Sequence, residues 1–290
     1  MENMFEKGCL VQLSAAVWGA TRKINTERLS NHELSEKWLS ASKKLVDPDS
    51  LKPLNKVVNA ARSYLAGVTL PFPLQGMAFI PKEMITRVDE KLESFKEDFN
   101  GAVGSFLGSY DNLREVAMLN LGDLFNEFDY PPDVKTKFGF VWRFVILDVP
   151  NGSHGVLAPE VYEREKEKFV RTMEEARELA VQSLREEFSA MVQRITDRFT
   201  NGTDAKPKIF KCGTVENFYE FFETFKERNI FKDEHLAELV ERAQAILGGR
   251  SADSIRSDGQ VKERIGQAMK DVESAMTEIF TMPRRRIDMN

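Results

Sequence analysis

His32, His154 and His235 are the only histidines in this 290-residue chain, and acid–base or metal chemistry near neutral pH would draw on them first. His235-x-x-Glu238 has the i, i+3 spacing with which a helix offers an imidazole and a carboxylate to a metal. Carboxylate-bridged centres in helical bundles need two such pairs and further glutamates, and the chain has one. On so charged a segment the plain reading is an exposed helix face. His154 sits in the turn Asn151-Gly-Ser-His-Gly155, where a general base could be presented, but no nucleophile is paired with it. Cys9 and Cys212 form neither a C-x-x-C nor a zinc spacing, and neither has an obvious histidine companion. No serine lies in G-x-S-x-G. The phosphate-cradling G-x-x-x-x-G-K-[ST] is absent; Gly248-Gly249-Arg250-Ser251 is no substitute, and Gly101-x-x-Gly104 lies inside a helical pattern. The expectation is a non-enzymatic chain with no catalytic, cofactor-binding or metal-binding residues. Arg284, Arg285 and Arg286 could contact phosphates with salt-dependent affinity, although three arginines at the end of an acidic chain read first as a solvated tail.

The bulk numbers agree with a packed rather than a reactive protein. Forty-one Lys and Arg against 46 Asp and Glu leave a net charge of -5, with 42% hydrophobic and 30% charged residues and a mean hydropathy of -0.39. These values exclude wholesale disorder, collagen-like repeats and a multi-span membrane protein. The aromatic set is lopsided: 21 Phe against 5 Tyr and 3 Trp. Phenylalanine supplies bulk without a polar handle, which points to packing. Met1 to Lys7 has no basic stretch followed by an apolar one, so no signal peptide is read and a cytoplasmic location is expected. The sequons Asn151-Gly-Ser and Asn201-Gly-Thr are then simply Asn-Gly turns.

Those residues need elements to hold them. Leu10 to Leu13 and Val17-Trp18 predict a strand within 9–18. Glu27 to Lys44 reads as a charged helix. Asp47-Pro48-Asp49-Ser50 breaks it and caps a second helix running to about Ala66, with Pro53 in its first turn. Ser63 to Pro81 carries no charge, but Pro71, Pro73 and Gly76 forbid a helix, leaving a buried or partner-facing loop or a short hairpin. From Pro81, the residues Met84, Val88, Leu92, Phe95, Phe99, Val103 and Phe106 form one apolar helical stripe. Gly101, Gly104 and Gly108 weaken its end and permit a neighbouring backbone to approach. Another helix is read from about Asp111 to Phe128, ended by Asp129-Tyr130-Pro131-Pro132. Phe138 to Val149 predicts a strand, paired with the one near Leu10. Ala158 to Phe199 predicts the longest helix, and Lys208 to Cys212 a short strand. Three helices follow: Thr214 to Arg228, Phe-rich; one capped by Asp233 and stopped by Gly248-Gly249; and Gln260 to Phe280, after a polar linker.

The fold class expected is therefore mainly α (α+β): long antiparallel helices in an elongated bundle with a small β-ribbon from strands near 9–18 and 138–149. Two regions are expected, a bundle over 1–200 and a three-helix region over 201–290. The order of several motifs resembles a bacterial and phage family of unknown function, often encoded beside MoxR-type AAA+ ATPases and von Willebrand A-domain proteins. The likeness rests on Thr69-Leu-Pro-Phe72, Gly76-Met-Ala-Phe-Ile-Pro81, Phe99 through Tyr110-x-x-Leu113, Leu121-Gly-Asp-Leu-Phe125, Asp129-Tyr-Pro131 and the Phe138 to Pro150 strand, all between Cys9 and Phe199. It implies a helical accessory protein working with a ring ATPase, and it carries over no functional residues.

Three functions follow as expectations. The first is an adaptor or scaffold acting through protein contacts, with a MoxR-type ATPase or with its own copies, through the uncharged loop: Leu70, Phe72, Leu74, Met77, Phe79 and Ile80. The second is a membrane-active protein inserting that loop, and the third a nucleic-acid-associated or virion protein using Arg284 to Arg286.

Overall fold

The computed structural model describes residues 4–24, 40–147, 157–199 and 213–281. The fold is mainly α, with a small sheet. Contacts divide the chain into two units, each made of separated segments: Met1–Leu10, Gly67–Met84 and Ile146–Asn290 in one, Val11–Ala66 and Ile85–Val145 in the other.

In the second of these, α1 (Lys52–Val68) follows a 3-10 turn over Pro48–Leu51, whose Asp47 side chain accepts the Asp49 N–H, and Pro53 lies in the first turn of α1 as expected. Leu54, Val58, Ala61 and Leu65 are buried on one helical face. The dominant element is α2 (Ile85–Leu121), 37 residues and about 55 Å long. Its buried face, Val88, Leu92, Phe99, Val103 and Phe106, follows the stripe read from the sequence, of which Phe95 is half-buried and Met84 lies in the turn before the helix. Against it packs β6 (Gly139–Val145): the Phe99 and Phe140 rings lie 5.6 Å apart, and Trp142 donates its indole N–H to Asp89 Oδ1 at 2.8 Å. β6 neighbours β1 (Gly8–Ala16), the pairing expected from sequence.

Several expectations fail here for identifiable reasons. Lys44 does not end a helix. Ala41–Lys44 is β3, paired antiparallel with β2 (Thr21–Ile24) in the register Thr21↔Lys44 to Ile24↔Ala41; residues 27–39 of the expected helix lie outside the described residues. A short polar hairpin has no apolar alternation to announce it, because its stability comes from ladder hydrogen bonds. Gly101, Gly104 and Gly108 do not break α2, nor does any backbone approach them: a Cβ added at any of the three would meet nothing within 4 Å. The two helices expected on either side of them are one helix, and it stops at Leu121 rather than Phe128.

In the other unit, β4 (Leu70–Pro71) and β5 (Ala78–Pro81) form a short antiparallel hairpin, so the uncharged segment takes the hairpin form that its prolines allowed. β5 neighbours β1, whose residues Gly8–Leu10 belong to this unit. The helices are α3 (Pro159–Phe199), α4 (Gly213–Arg228), α5 (Glu234–Leu247), α6 (Ala252–Ser257) and α7 (Gly259–Thr281). α3 packs along α7 and α4, and α7 against α5 and α6. The expected boundary at residue 200 thus falls between helices of one unit, and α6 occupies what reads as a polar linker. Phe188 of α3 is the centre of the aromatic packing, with Phe221 stacked at 5.7 Å and Phe218 edge-on at 6.2 Å. Asp233 caps α5 by accepting the Leu236 N–H and also pairs with Arg185 of α3 at 2.6 Å. Arg228, almost wholly buried, pairs with Glu187 at 2.5 Å. Gly248 ends α5 at φ +54°, the left-handed geometry a glycine tolerates without strain.

Glycines inside helices separate into two kinds. Gly266 of α7 faces α3 so closely that an added Cβ would lie 2.7 Å from Phe199 Cβ. Gly266→Ala should therefore destabilise the protein by about 1–3 kcal/mol through overpacking. Gly101→Ala and Gly104→Ala should each stabilise it by about 0.5–1 kcal/mol, because alanine there removes backbone freedom from the unfolded chain and touches nothing. Urea denaturation of the three variants gives both signs.

Candidate functional site

The last turns of α2 and the segment after them form an unusual surface. Beyond Phe106 the apolar positions of α2 are largely uncovered: among the described residues from 107 to 121 only Ala117 is buried, while Val116, Met118 and Leu119 are exposed, Leu119 to 79%. The chain then folds through three 3-10 turns, Gly122–Leu124, Glu127–Asp129 and Val134–Lys137. Short polar side chains organise them. Asn126 Oδ1 accepts the Phe128 N–H at 3.0 Å, Asp133 Oδ1 accepts the Lys135 N–H at 2.9 Å, and Thr136 donates to the Asp133 carbonyl at 2.7 Å.

The middle turn is pinned on both sides of one residue. Glu127 pairs with Arg114 at 2.7 Å; Asp129 pairs with Lys43 of β3 at 2.6 Å and with Arg22 of β2 at 3.8 Å; Tyr130 donates its hydroxyl to the Leu45 carbonyl at 2.7 Å. Lys43 also donates to the Leu124 carbonyl. Between these anchors Phe128 projects into solvent, 94% exposed. A phenylalanine left in water forgoes about 1.5–3 kcal/mol of burial.

Beside it is an open cleft of about 420 Å³, lined by Tyr110, Asp111 and Arg114 of α2 and by Glu127, Tyr130 and Pro131 to Val134. The Arg114 guanidinium lies 5.9 Å from the centre of the Tyr110 ring and 5.2 Å from that of Tyr130, so an arginine is already held between two aromatic faces and a carboxylate. Burial pushes both phenols above their ordinary range against the opposing pull of Arg114; neighbouring Tyr110 adds to the rise at Tyr130. Tyr110 Oη and Arg114 Nε are buried without a hydrogen-bond partner among the described residues.

The residues singled out in the sequence are elsewhere. Leu70, Phe72, Phe79 and Ile80 are buried in the β4–β5 hairpin, with the Phe5 ring 6.4 Å from Phe72 and 6.3 Å from Phe79. They are core, which corrects their expected display to a partner or a bilayer. Only Leu74, exposed, and Met77, half-buried, remain near the surface, at the turn. Among the described residues no helix is long and apolar enough to cross a membrane, and no group of three or more His, Cys, Asp or Glu could hold a metal ion. His235 and Glu238 are exposed on α5. His32, His154, Cys212, the 208–212 strand and Arg284, Arg285 and Arg286 lie outside the described residues.

The cleft itself carries a signal that does not announce a cleft: Tyr110 and Arg114 one helical turn apart, and Asp129-Tyr130-Pro131-Pro132, which reads as a helix terminator and, in part, as a motif of the family resemblance. The family model described as Protein of unknown function (DUF3150) matches residues 5–201, a span that includes both the cleft and α3. No curated protein and no solved structure matches the chain.

The buried phenols give the fold an alkaline limit. Tyr110 and Tyr130 ionise more readily in the unfolded chain than in the native one, so the unfolded state loses protons first as pH rises past about 10. Stability should be flat with respect to these groups below pH 10 and fall above it. In Tyr110→Phe, which keeps the ring and loses the ionisation, the fall should be shallower; denaturant titrations from pH 8 to 11.5 measure it.

Proposed function

This chain belongs to the DUF3150 family of proteins of unknown function, and we propose that it works as a non-enzymatic adaptor that binds a protein partner through the end of α2. The observation that carries the reading is Phe128, an aromatic side chain held in water by anchored residues on either side. Ordering a protruding side chain before contact removes part of the entropic cost of association. Aromatic residues so placed are typical of the few that dominate an interface. Leu119, Met118 and Val116 extend the apolar area along α2. The resemblance to proteins encoded beside MoxR-type AAA+ ATPases supplies the class of partner: a ring ATPase of that type. Insertion into a bilayer is disfavoured, because the uncharged segment on which it depended is mostly core.

The test is direct association with the MoxR-type ATPase of the same genome, followed by sedimentation velocity. Phe128→Asp should weaken the complex by about thirtyfold or more, an interface hot-spot effect of about 2 kcal/mol. Its unfolding midpoint should stay within about 1 °C of the parent, because the side chain touches little in the free protein. A complex unaffected by Phe128→Asp, or no complex with the ATPase, overturns the reading.

A further inference from the structure

The cleft next to Phe128 narrows what kind of partner segment the surface takes, an inference that rests on the adaptor reading. Three carboxylates line it, Asp111, Glu127 and Asp133, against one guanidinium, Arg114, which Glu127 already engages. Asp111 and Asp133 enter no ion pair among the described residues, and both are exposed. Lys135 and Lys137, farther along the chain, are not part of the lining. An anion entering here would meet net negative charge. A metal ion would need converging ligands, and none of the described acidic groups converges that closely. What fits is an organic cation on a stem: charge for Asp111 and Asp133, methylenes for Pro131, Pro132 and Val134.

The chain's own Arg114 displays the same chemistry in the lining, a guanidinium packed on Tyr110 and Tyr130 and paired with a carboxylate. We infer that the cleft seats an arginine or lysine side chain of the protein partner, while an apolar residue of the same segment covers Phe128. Recognition is then divided: the apolar contact at Phe128 supplies much of the affinity, and the acidic cleft selects the partner and speeds encounter, in a salt-dependent way.

Two fluorescein-labelled peptides of equal length, one alternating leucine with arginine and one alternating leucine with glutamate, test this by fluorescence anisotropy against the full chain. The arginine peptide should bind, the glutamate peptide should bind at least tenfold more weakly, and affinity for the first should fall severalfold between 50 and 300 mM salt. The double variant Asp111→Asn with Asp133→Asn should cost about tenfold. Asparagine retains the oxygen that accepts the Lys135 N–H, so the turn should keep its fold, which circular dichroism and the unfolding midpoint check. Equal binding of the two peptides, no binding of the arginine peptide, or indifference to the double variant overturns the inference. The adaptor reading is judged separately. ATPase association lost in Phe128→Asp but intact in the double variant removes only the basic side chain from the cleft. Association indifferent to Phe128→Asp removes the adaptor reading itself.

Discussion

Everything in the unit that carries the site hangs on one apolar stripe along α2. From Val88 to Phe106 that stripe is covered, and the aromatic contacts of Phe99 with Phe140 and of Phe106 with Phe138 hold β6 against the helix. The helix then outruns its cover by about four turns. A helical end without tertiary packing is marginal in water. Here it is supported instead by the returning chain: Arg114 pairs with Glu127, its guanidinium lies against Tyr110 and Tyr130, and Tyr130 and Asp129 are tied to the β2–β3 hairpin. The ion pairs alone would contribute little at this exposure. Their effect is geometric, since several weak contacts from different elements leave the turn one arrangement.

Core and exception then share a logic. Most aromatic positions resolved here do what a phenylalanine excess suggests and pack, as Phe188, Phe218 and Phe221 do around α3 and α4. Phe128 has the same side chain and the opposite environment. A residue of this kind in a mobile loop would collapse onto the nearest apolar surface. Flanked by Asn126, Glu127, Asp129 and Tyr130, each with a defined hydrogen bond or ion pair, it is prevented from doing so.

How legible this was in the sequence depended on whether periodicity or long-range partnership decided each segment. The stripe of α2, the helical run of α3, the caps at Asp47 and Asp233, the glycine stop after α5 and the β1–β6 pairing follow from local pattern, because burial imposes a period and a helix end needs a partner for its free N–H groups. The β2–β3 hairpin did not, since Thr21 to Ile24 and Ala41 to Lys44 are polar and are joined through each other's backbones. The continuity of α2 was hidden by three glycines whose local cost is outweighed by packing on the opposite face. The uncharged hairpin drew notice because it lacks charge, yet absence of charge marks core as readily as interface, and four of the six residues singled out in it proved to be core. The cleft was illegible because its lining comes from positions as far apart as Tyr110 and Val134, and only the fold brings them together.

The interleaving of the two units has a consequence for how the chain is made. The segments of the unit bearing Phe128 are complete once residue 145 has been synthesised, whereas the other unit needs its N-terminal strand, its hairpin and every helix through α7. At roughly 5–20 residues per second, more than 100 residues remain to be translated after the first is whole, an interval on the order of ten seconds. Until α3 and α4 have followed, Leu70, Phe79 and Ile80 wait without the helices that pack on their strands. The apolar hairpin that ends as core is thus, for a nascent chain, an uncovered apolar surface of the kind chaperones bind.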